Sequence, residues 1–531
     1  MPRMKSAPTI ELNERRWVSY AVLALILLSI LDRIDLLVRF AFKHIGIDDA
    51  LMQQIALDYS HGIFREPYMY GQNYNPMLEA LLAVPLLWTG ISPQFALPIV
   101  TSFLALIPFW AFAWWCLRKG HIIGAIAFSA MPILLPVEWG MLTSMPRGFV
   151  HGIGLLAMLP FIQVIRSVWA RSFLTALVAS AAVVCNPNTL LVLVPVFTWL
   201  VWKQQRSVGF WLGNALGVLP SLGFVLWAKA FHAKAKITPL HFMDGDSVQY
   251  GFNRTLSGLQ GLDMHWQHLV PFTEAAGLLV ISLLVIAVVM AFKRSDQGQC
   301  RAIVAVMLFI PFALGVLKVH EGLTTIFFSL SRMFLGIPIL VAGCIALVGS
   351  TYSFDRRKLI GVFLVVVIWL PMKWNGVNEV VANELEKQDE GYVREEPIEV
   401  VRSYCRTVSD VATRNGAQLI VPIRWPDLRV DHRTHYIAHF VCYACPQMVP
   451  ELPPVFMAGY DRRTWIVEIY GAAECEKVLF VGGDPDAWRI AMSNDTSIRD
   501  VSTHDLIMHI VDNGSVSILD LIATTHVDGK Q

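Results

Sequence analysis

Long apolar runs separated by short polar breaks fill the first 372 positions of the chain, and the pattern then changes. Runs of helical length occupy roughly 17–40, 94–117, 121–140, 149–167, 172–186, 187–202, 208–230, 271–292, 302–318, 332–350 and 359–372. A bilayer core about 30 Å thick needs about 20 apolar residues of helix, so the longer runs can cross it and the shorter ones need tilt or local thinning. About eleven crossings result.

One further apolar stretch, 76–90, either spans or lies along the interface. If it spanned, Arg118 and Lys119 would share a side with the acidic residues after the first run, and every later loop would flip. If it lies flat, the basic connections Arg118/Lys119, Arg166/Arg171, Lys203/Arg206, Lys293/Arg294/Arg301 and Arg356/Arg357/Lys358 all join the N-terminus on the cytoplasmic side. The second arrangement satisfies the positive-inside rule. It puts Lys43–Ser92, Glu138–Gly148, Phe231–Val270, Lys318–Ser331 and the whole tail on the outer face.

The tail, 373–531, reads as a separate soluble α/β domain following a membrane domain at 1–372. Helical spacing over 397–415 precedes short β-like runs at Leu419–Ile423, Tyr436–Val441, Trp465–Ile469, Val478–Gly482 and Val516–Leu521. The fold class expected is a polytopic α-helical membrane protein with juxtamembrane helices and an extracytoplasmic C-terminal α/β domain. No internal repeat and no low-complexity segment is visible.

Composition agrees. Hydrophobic residues make up 55% of the chain and charged residues 16%, too apolar a balance for a soluble protein of this length. The basic start, Met1 to Arg16, leads into an apolar run with no small-residue cleavage site at its end, so the first span is expected to stay as an anchor. The net charge of +1 conceals an asymmetry: from Glu379 onward acids outnumber Lys and Arg by about ten. That acidic tail argues against nucleic acid as a partner.

Candidate chemistry lies on the outer side. Asp48 and Asp49 stand just after the first span, and carboxylates at a bilayer exit are costly unless used. One reading makes them caps of the helix that Ala50–Ala56 would form, but a cap needs only one carboxylate. The other makes one of them a general base for an acceptor beside a lipid-borne donor. Glu138 and Arg147 occupy the next outer turn, where a second acid could bind an acceptor, orient Arg147 or hold a metal. Among the outer cations, Arg332 opens a hydrophobic span from its outer end and suits bidentate pairing with phosphate. Lys318, His320, Arg147 and Arg254 are further candidates.

The 231–270 loop carries His241, Asp244, Asp246, Asp263, His265 and His268, without a convincing ligand spacing for a metal. Four of the eight cysteines, Cys405, Cys442, Cys445 and Cys475, lie in the tail. Cys442-x-x-Cys445 is compatible with a redox pair, half a zinc site, a structural disulfide or free thiols. Tryptophans at span ends form the interfacial belt common to membrane proteins.

Asp48-Asp49-Ala50 after a first span, then Tyr70-Gly71-Gln72-Asn73-Tyr74 leading into Leu78-Glu79-Ala80, resembles the GT-C superfamily of polytopic glycosyltransferases. The nearest patterns are the bacterial family 39-like branch, the protein O-mannosyltransferases and the lipid A aminoarabinose transferases. Ser331-Arg332-Met333-Phe334-Leu335 is similar to the Arg-Tyr-Leu-Leu-Pro element that begins a late span in those enzymes. The resemblance implies sugar transfer from a polyprenyl-phosphate donor to a glycan, lipid or protein acceptor at the outer face of a bacterial inner membrane.

By the same resemblance Asp48 activates the acceptor, Asp49 is its partner and Arg332 contacts donor phosphate. Glu138 pairs with Arg147 in a second acidic site, and Tyr70 and Gln72 line the pocket. Glu79 stands where many members carry His-Pro-Pro. The implied mechanism is single displacement with inversion. Some relatives use a divalent metal, and the residues leave that requirement open. No Gly-rich phosphate loop precedes a helix in a nucleotide-binding context, in keeping with a lipid-linked donor. Two alternatives remain: a transporter or flippase of a lipid-linked sugar, which should show repeats and mid-span charges, and a non-catalytic envelope scaffold.

Overall fold

The computed structural model describes residues 12–235, 248–266, 269–270, 275–320, 326–328, 335–349, 356–390, 395–423, 432–457, 461, 463–471, 474–482, 497–504, 506–512 and 516–519. The chain is mostly helical, and each apolar run is helical along most of its described length. Among the described residues six helices are long and apolar enough to cross a membrane: Pro93–Arg118, Val168–Cys185, Val208–Ala233, Ala276–Lys293, Gln297–Leu314 and Arg357–Glu386. Leu78–Trp88, Ile122–Leu134, His151–Ile162 and Ile337–Gly349 are shorter apolar helices. This is a multi-pass membrane protein.

The chain divides into two compact units. The first comprises Met1–Phe40, Ile99–Gly223 and Asp244–Glu384; the second comprises Ala41–Pro98, Phe224–Met243 and Leu385–Gln531. The expected boundary at 372/373 falls inside the Arg356–Glu386 helix. The loop after the first span belongs to the same unit as most of the tail.

In the first unit, Leu190–Gln204 packs along Gln297–Leu314, and Ile122–Leu134 packs against both Leu12–Leu36 and Ile337–Gly349. Charges among these helices are matched locally, because an unpaired charge in a low-dielectric interior is costly. Asp32 accepts from Lys373 Nζ at 2.7 Å and Trp374 Nε1 at 3.1 Å, while Arg39 pairs with Asp35 at 2.9 Å.

The Val208–Ala233 helix carries glycines at positions 209, 213 and 217, a small-residue repeat that lets helix backbones approach closely. A Cβ would lie 2.6 Å from the Trp169 carbonyl oxygen at Gly213 and 2.3 Å from that of Phe173 at Gly217.

In the second unit the strands are β1 (His44–Gly46), β2 (Glu395–Pro397), β3 (Leu419–Pro422), β4 (Glu474–Cys475), β5 (Val478–Val481), β6 (Ser497–Asp500), β7 (Met508–Asp512) and β8 (Val516–Ser517). β1 and β2 pair antiparallel, with Ile45 opposite Glu396, and Ile398 N–H donates to the Lys43 carbonyl at 2.8 Å. A four-stranded sheet runs β3-β5-β7-β6, with β3 and β5 parallel and the other neighbours antiparallel. All four residues of β3, at one edge of the sheet, and of β5, inside it, are buried, so both strands are covered on both faces.

Two expected strands are helices instead. His432–Tyr443 replaces the strand read at Tyr436–Val441, and Ile466–Tyr470 replaces the one at Trp465–Ile469. Ile437, Ala438, Phe440, Val441 and Cys442 are all buried, and an unbroken apolar run cannot be told from a strand by periodicity. The helix packs against Ile47–Ser60 and Ile398–Asn415. Cys445 is bonded to Cys405, 40 positions away, while Cys442 remains a buried thiol.

Two stability outcomes follow from this packing. Gly217→Val forces the Val168–Cys185 backbone aside and should destabilise the protein by about 1–3 kcal/mol, read as a lowered unfolding midpoint in detergent. An unchanged midpoint would contradict the close approach. Cys405→Ser releases a loop of some 40 residues and should cost about 4 kcal/mol on the loop-entropy estimate, read by urea unfolding under oxidising conditions.

Candidate functional site

Gly46 has an extended backbone (φ −96°, ψ 173°) and starts the Ile47–Ser60 helix, leaving early amides without intrahelical partners. Asp49 supplies the missing acceptor: its Oδ2 takes the Gly46 N–H at 3.0 Å, and the side chain is buried. Asp48, one position earlier, is half-buried and has no side-chain hydrogen bond or ion pair among the described residues. The two adjacent acids therefore differ in role. One accepts the Gly46 amide, and the other has no side-chain partner among the described residues.

The rest of this loop is held by buried charge. Asp58 Oδ2 accepts from Arg65 Nε and from Tyr70 Oη, both at 2.8 Å. Burial and the Asp58 charge push the Tyr70 phenol upward, and burial with the Asp58 and Glu66 charges takes Tyr59 to about 12, so both stay protonated at neutral pH. Glu66 is fully buried and accepts from Gly71 N–H at 3.0 Å and Thr464 N–H at 2.7 Å. Burial raises its carboxyl to about 7 despite those two amides and the Arg463 charge. Gly71 makes its bend at φ +78°, a backbone angle that suits glycine.

Gln72, in the same turn, presents a buried Oε1 with no hydrogen-bond partner among the described residues. Glu79 lies fully buried in the first turn of the Leu78–Trp88 helix. Asp48, Asp49, Tyr70, Gln72 and Glu79 are thus all in the second unit.

The other expected site residues belong to the first unit. Glu138 starts the Val137–Leu142 helix and is half-buried. The turn that follows it is interior rather than a solvated surface loop, with Thr143, Ser144 and Arg147 all buried. Arg33 fixes that turn by donating from Nη1 to the Gly140 carbonyl and Thr143 Oγ1, each at 2.9 Å. Arg147 donates from Nη1 to the Phe327 carbonyl at 2.7 Å. Arg254 donates to the carbonyls of Gln249 at 3.0 Å and Gly315 at 3.3 Å, which gives it a structural task.

Lys318 is half-buried in the Leu317–His320 turn, which also holds His320. Arg332 lies outside the described residues, as do His241, Asp244, Asp246 and His268. Among the described residues no group of three or more His, Cys, Asp or Glu side chains is placed to hold a metal ion.

The sequence reading counted Arg65 among the few outer cations, without a role, and passed over Asp58, Glu66, Asp461 and Arg463. Arg463 and Asp461 form a buried ion pair, and Arg463 Nη1 reaches Gln54 Oε1 at 3.3 Å. The Arg65 guanidinium sits 4.1 Å above the Trp465 ring, a cation–π distance. The one available signal was the density of charge in Arg65-Glu66 and Asp461-Arg462-Arg463 beside aromatic residues. Nothing in the linear order joins the two segments.

No protein-family model and no curated protein matches this chain. Two solved structures are similar to it. ArnT from Cupriavidus metallidurans in the apo state is 10% identical, with 92% of this chain and 98% of that chain covered and a TM-score of 0.52. The same protein bound to undecaprenyl phosphate is 11% identical over 91% of this chain and 97% of that one, with a TM-score of 0.49, too loose a likeness to bring the bound lipid across. At this identity the likeness to the apo protein speaks for architecture alone. The chain has an ArnT-like GT-C fold with a small C-terminal sheet.

Proposed function

We propose that this protein is a membrane glycosyltransferase that moves a sugar from a polyprenyl-phosphate donor to an acceptor at the outer face of a bacterial inner membrane. The observation that carries this reading is the division of labour at the start of the Ile47–Ser60 helix. Asp49 is occupied as cap, and Asp48 is half-buried without a side-chain partner among the described residues. A general base needs that availability, since it must come within hydrogen-bond reach of the proton it removes. The GT-C fold and the motif resemblance supply the reaction class by analogy.

In the proposed step the acceptor hydroxyl gives its proton to Asp48 as its oxygen bonds to the anomeric carbon. The bond from that carbon to the phosphate oxygen breaks, and its electron pair leaves with polyprenyl phosphate. Attack opposite the leaving group inverts the anomeric centre. Arg332 and Lys318 are the proposed contacts for the departing phosphate. Arg147 and Arg254 already donate to main-chain carbonyls, leaving fewer N–H groups for that task. Glu138 is the proposed second acidic group, with Tyr70, Gln72 and Glu79 lining the acceptor side.

In this reading the tail and Lys43–Ser92 lie on the outer side of the membrane and the N-terminus in the cytoplasm. The Cys405–Cys445 disulfide supports an oxidising compartment for the tail, and the basic loops between spans support the same orientation.

The test is transfer by the full chain in nanodiscs from a panel of polyprenyl-phosphate sugars to envelope lipids, glycans and water. Wild type should give product of inverted configuration or hydrolysed donor. Asp48→Asn, folded by thermal melt, should lose at least a hundredfold in turnover, roughly the contribution of a general base. Full activity in that variant would remove Asp48 from the mechanism.

A further inference from the structure

Two segments 398 residues apart in sequence meet on a single carboxylate. Glu66 accepts the Gly71 amide from its own loop and the Thr464 amide from the tail, and both its oxygens are buried with the side chain. The neighbouring contacts repeat the same connection. Arg65 covers the Trp465 ring, and Tyr70 meets that ring edge-on with centroids 5.7 Å apart. Arg463 reaches Gln54, and Gln447 Nε2 donates to the Ala50 carbonyl at 2.6 Å, beside the Asp48–Asp49 helix start.

We propose that Glu66 is a positioning residue through which the tail fixes both the Tyr70–Gln72 turn and the helix that carries Asp48. The tail is then a working part of the outward site and not an appendage to it. This inference rests on the reading of Asp48 as the base, and the clamp itself is measurable without turnover.

The charged and titratable groups that act on Glu66 are Arg463 from the tail and Tyr59 from the Ile47–Ser60 helix, and Asp58 of that helix pairs with Arg65 and Tyr70 of the loop. In the closed arrangement burial raises the Glu66 carboxyl to about 7, against an ordinary value of 4.5 when the loop opens to water. A group raised in the closed state favours closure while it is protonated. The clamp should therefore be tightest below pH 4.5, weaken as pH rises to about 7 and change little above that.

The experiment is hydrogen exchange by mass spectrometry on the full chain in nanodiscs from pH 4.5 to 8.5, corrected for intrinsic exchange rates. In wild type, exchange in the Gly71 and Thr464 peptides should rise roughly ten- to a hundredfold up to pH 7 and then level. Glu66→Gln, neutral at every pH, should remove the pH dependence, while Glu66→Ala, which removes both acceptor oxygens, should raise exchange at both peptides and also across residues 47–52. Glu66→Ala should lower kcat about tenfold with donor KM unchanged, on the scale of a misplaced catalytic group, and Glu66→Asp should restore part of the loss. Wild-type exchange that does not vary with pH, or normal protection at 47–52 in Glu66→Ala, would overturn the clamp. Loosened peptides with full turnover would overturn the positioning role. A wild type without transferase activity would sink the proposed function while the exchange result still decides the clamp.

Discussion

A helix start has only a few amides to satisfy, and here one carboxylate is enough. The Gly46 N–H donates to Asp49, which is buried, while Asp48 beside it has no side-chain partner among the described residues. Everything proposed about the outward site depends on the asymmetry. An acid held half-buried with no side-chain partner among the described residues does little to stabilise the fold and can meet a substrate. Its neighbour has the reverse character, buried and contributing a cap worth about 1 kcal/mol.

The surroundings show how that start is held in place. β1 is a three-residue strand, too short to be stable alone, and it gains its register from β2 at the head of the tail. The helix that follows packs against Leu78–Trp88 on the loop side and His432–Tyr443 on the tail side. Buried charges complete the arrangement: Asp58 takes Arg65 and Tyr70, Asp461 takes Arg463, and Glu66 takes two backbone amides. Each of these groups would be expensive to bury alone, so their pairing specifies one arrangement of loop and tail. The first unit applies the same rule to its helices, where Asp32 is matched by Lys373 and Trp374.

Much of the fold was legible because a bilayer restricts the options. Apolar length announces helices, and every apolar run proved helical along most of its described length. In the tail, Leu419–Pro422 and Val478–Val481 stood out as strands because turn signals bound short β-branched runs, and Ile398–Asn415 because its apolar spacing is helical. Tyr436–Val441 misled because Ile437–Val441 is buried all round, which erases the period. The likeness of Asp48-Asp49 to a helix start was readable, yet which acid caps it was not, since that depends on the rotamer and on Gly46. Glu66 was invisible for a different reason: its partner amide lies in a segment whose proximity only the folded tail creates.

The asymmetry between the two acids is tested most directly by measuring melting midpoint and turnover together for Asp48→Ala and Asp49→Ala in the same nanodisc preparation. Loss of the cap should lower the midpoint of Asp49→Ala, in proportion to about 1 kcal/mol, while Asp48→Ala melts like wild type. Turnover should be abolished in Asp48→Ala and survive in part in Asp49→Ala. The reverse pattern, a destabilised Asp48→Ala protein that still transfers sugar, would contradict the account.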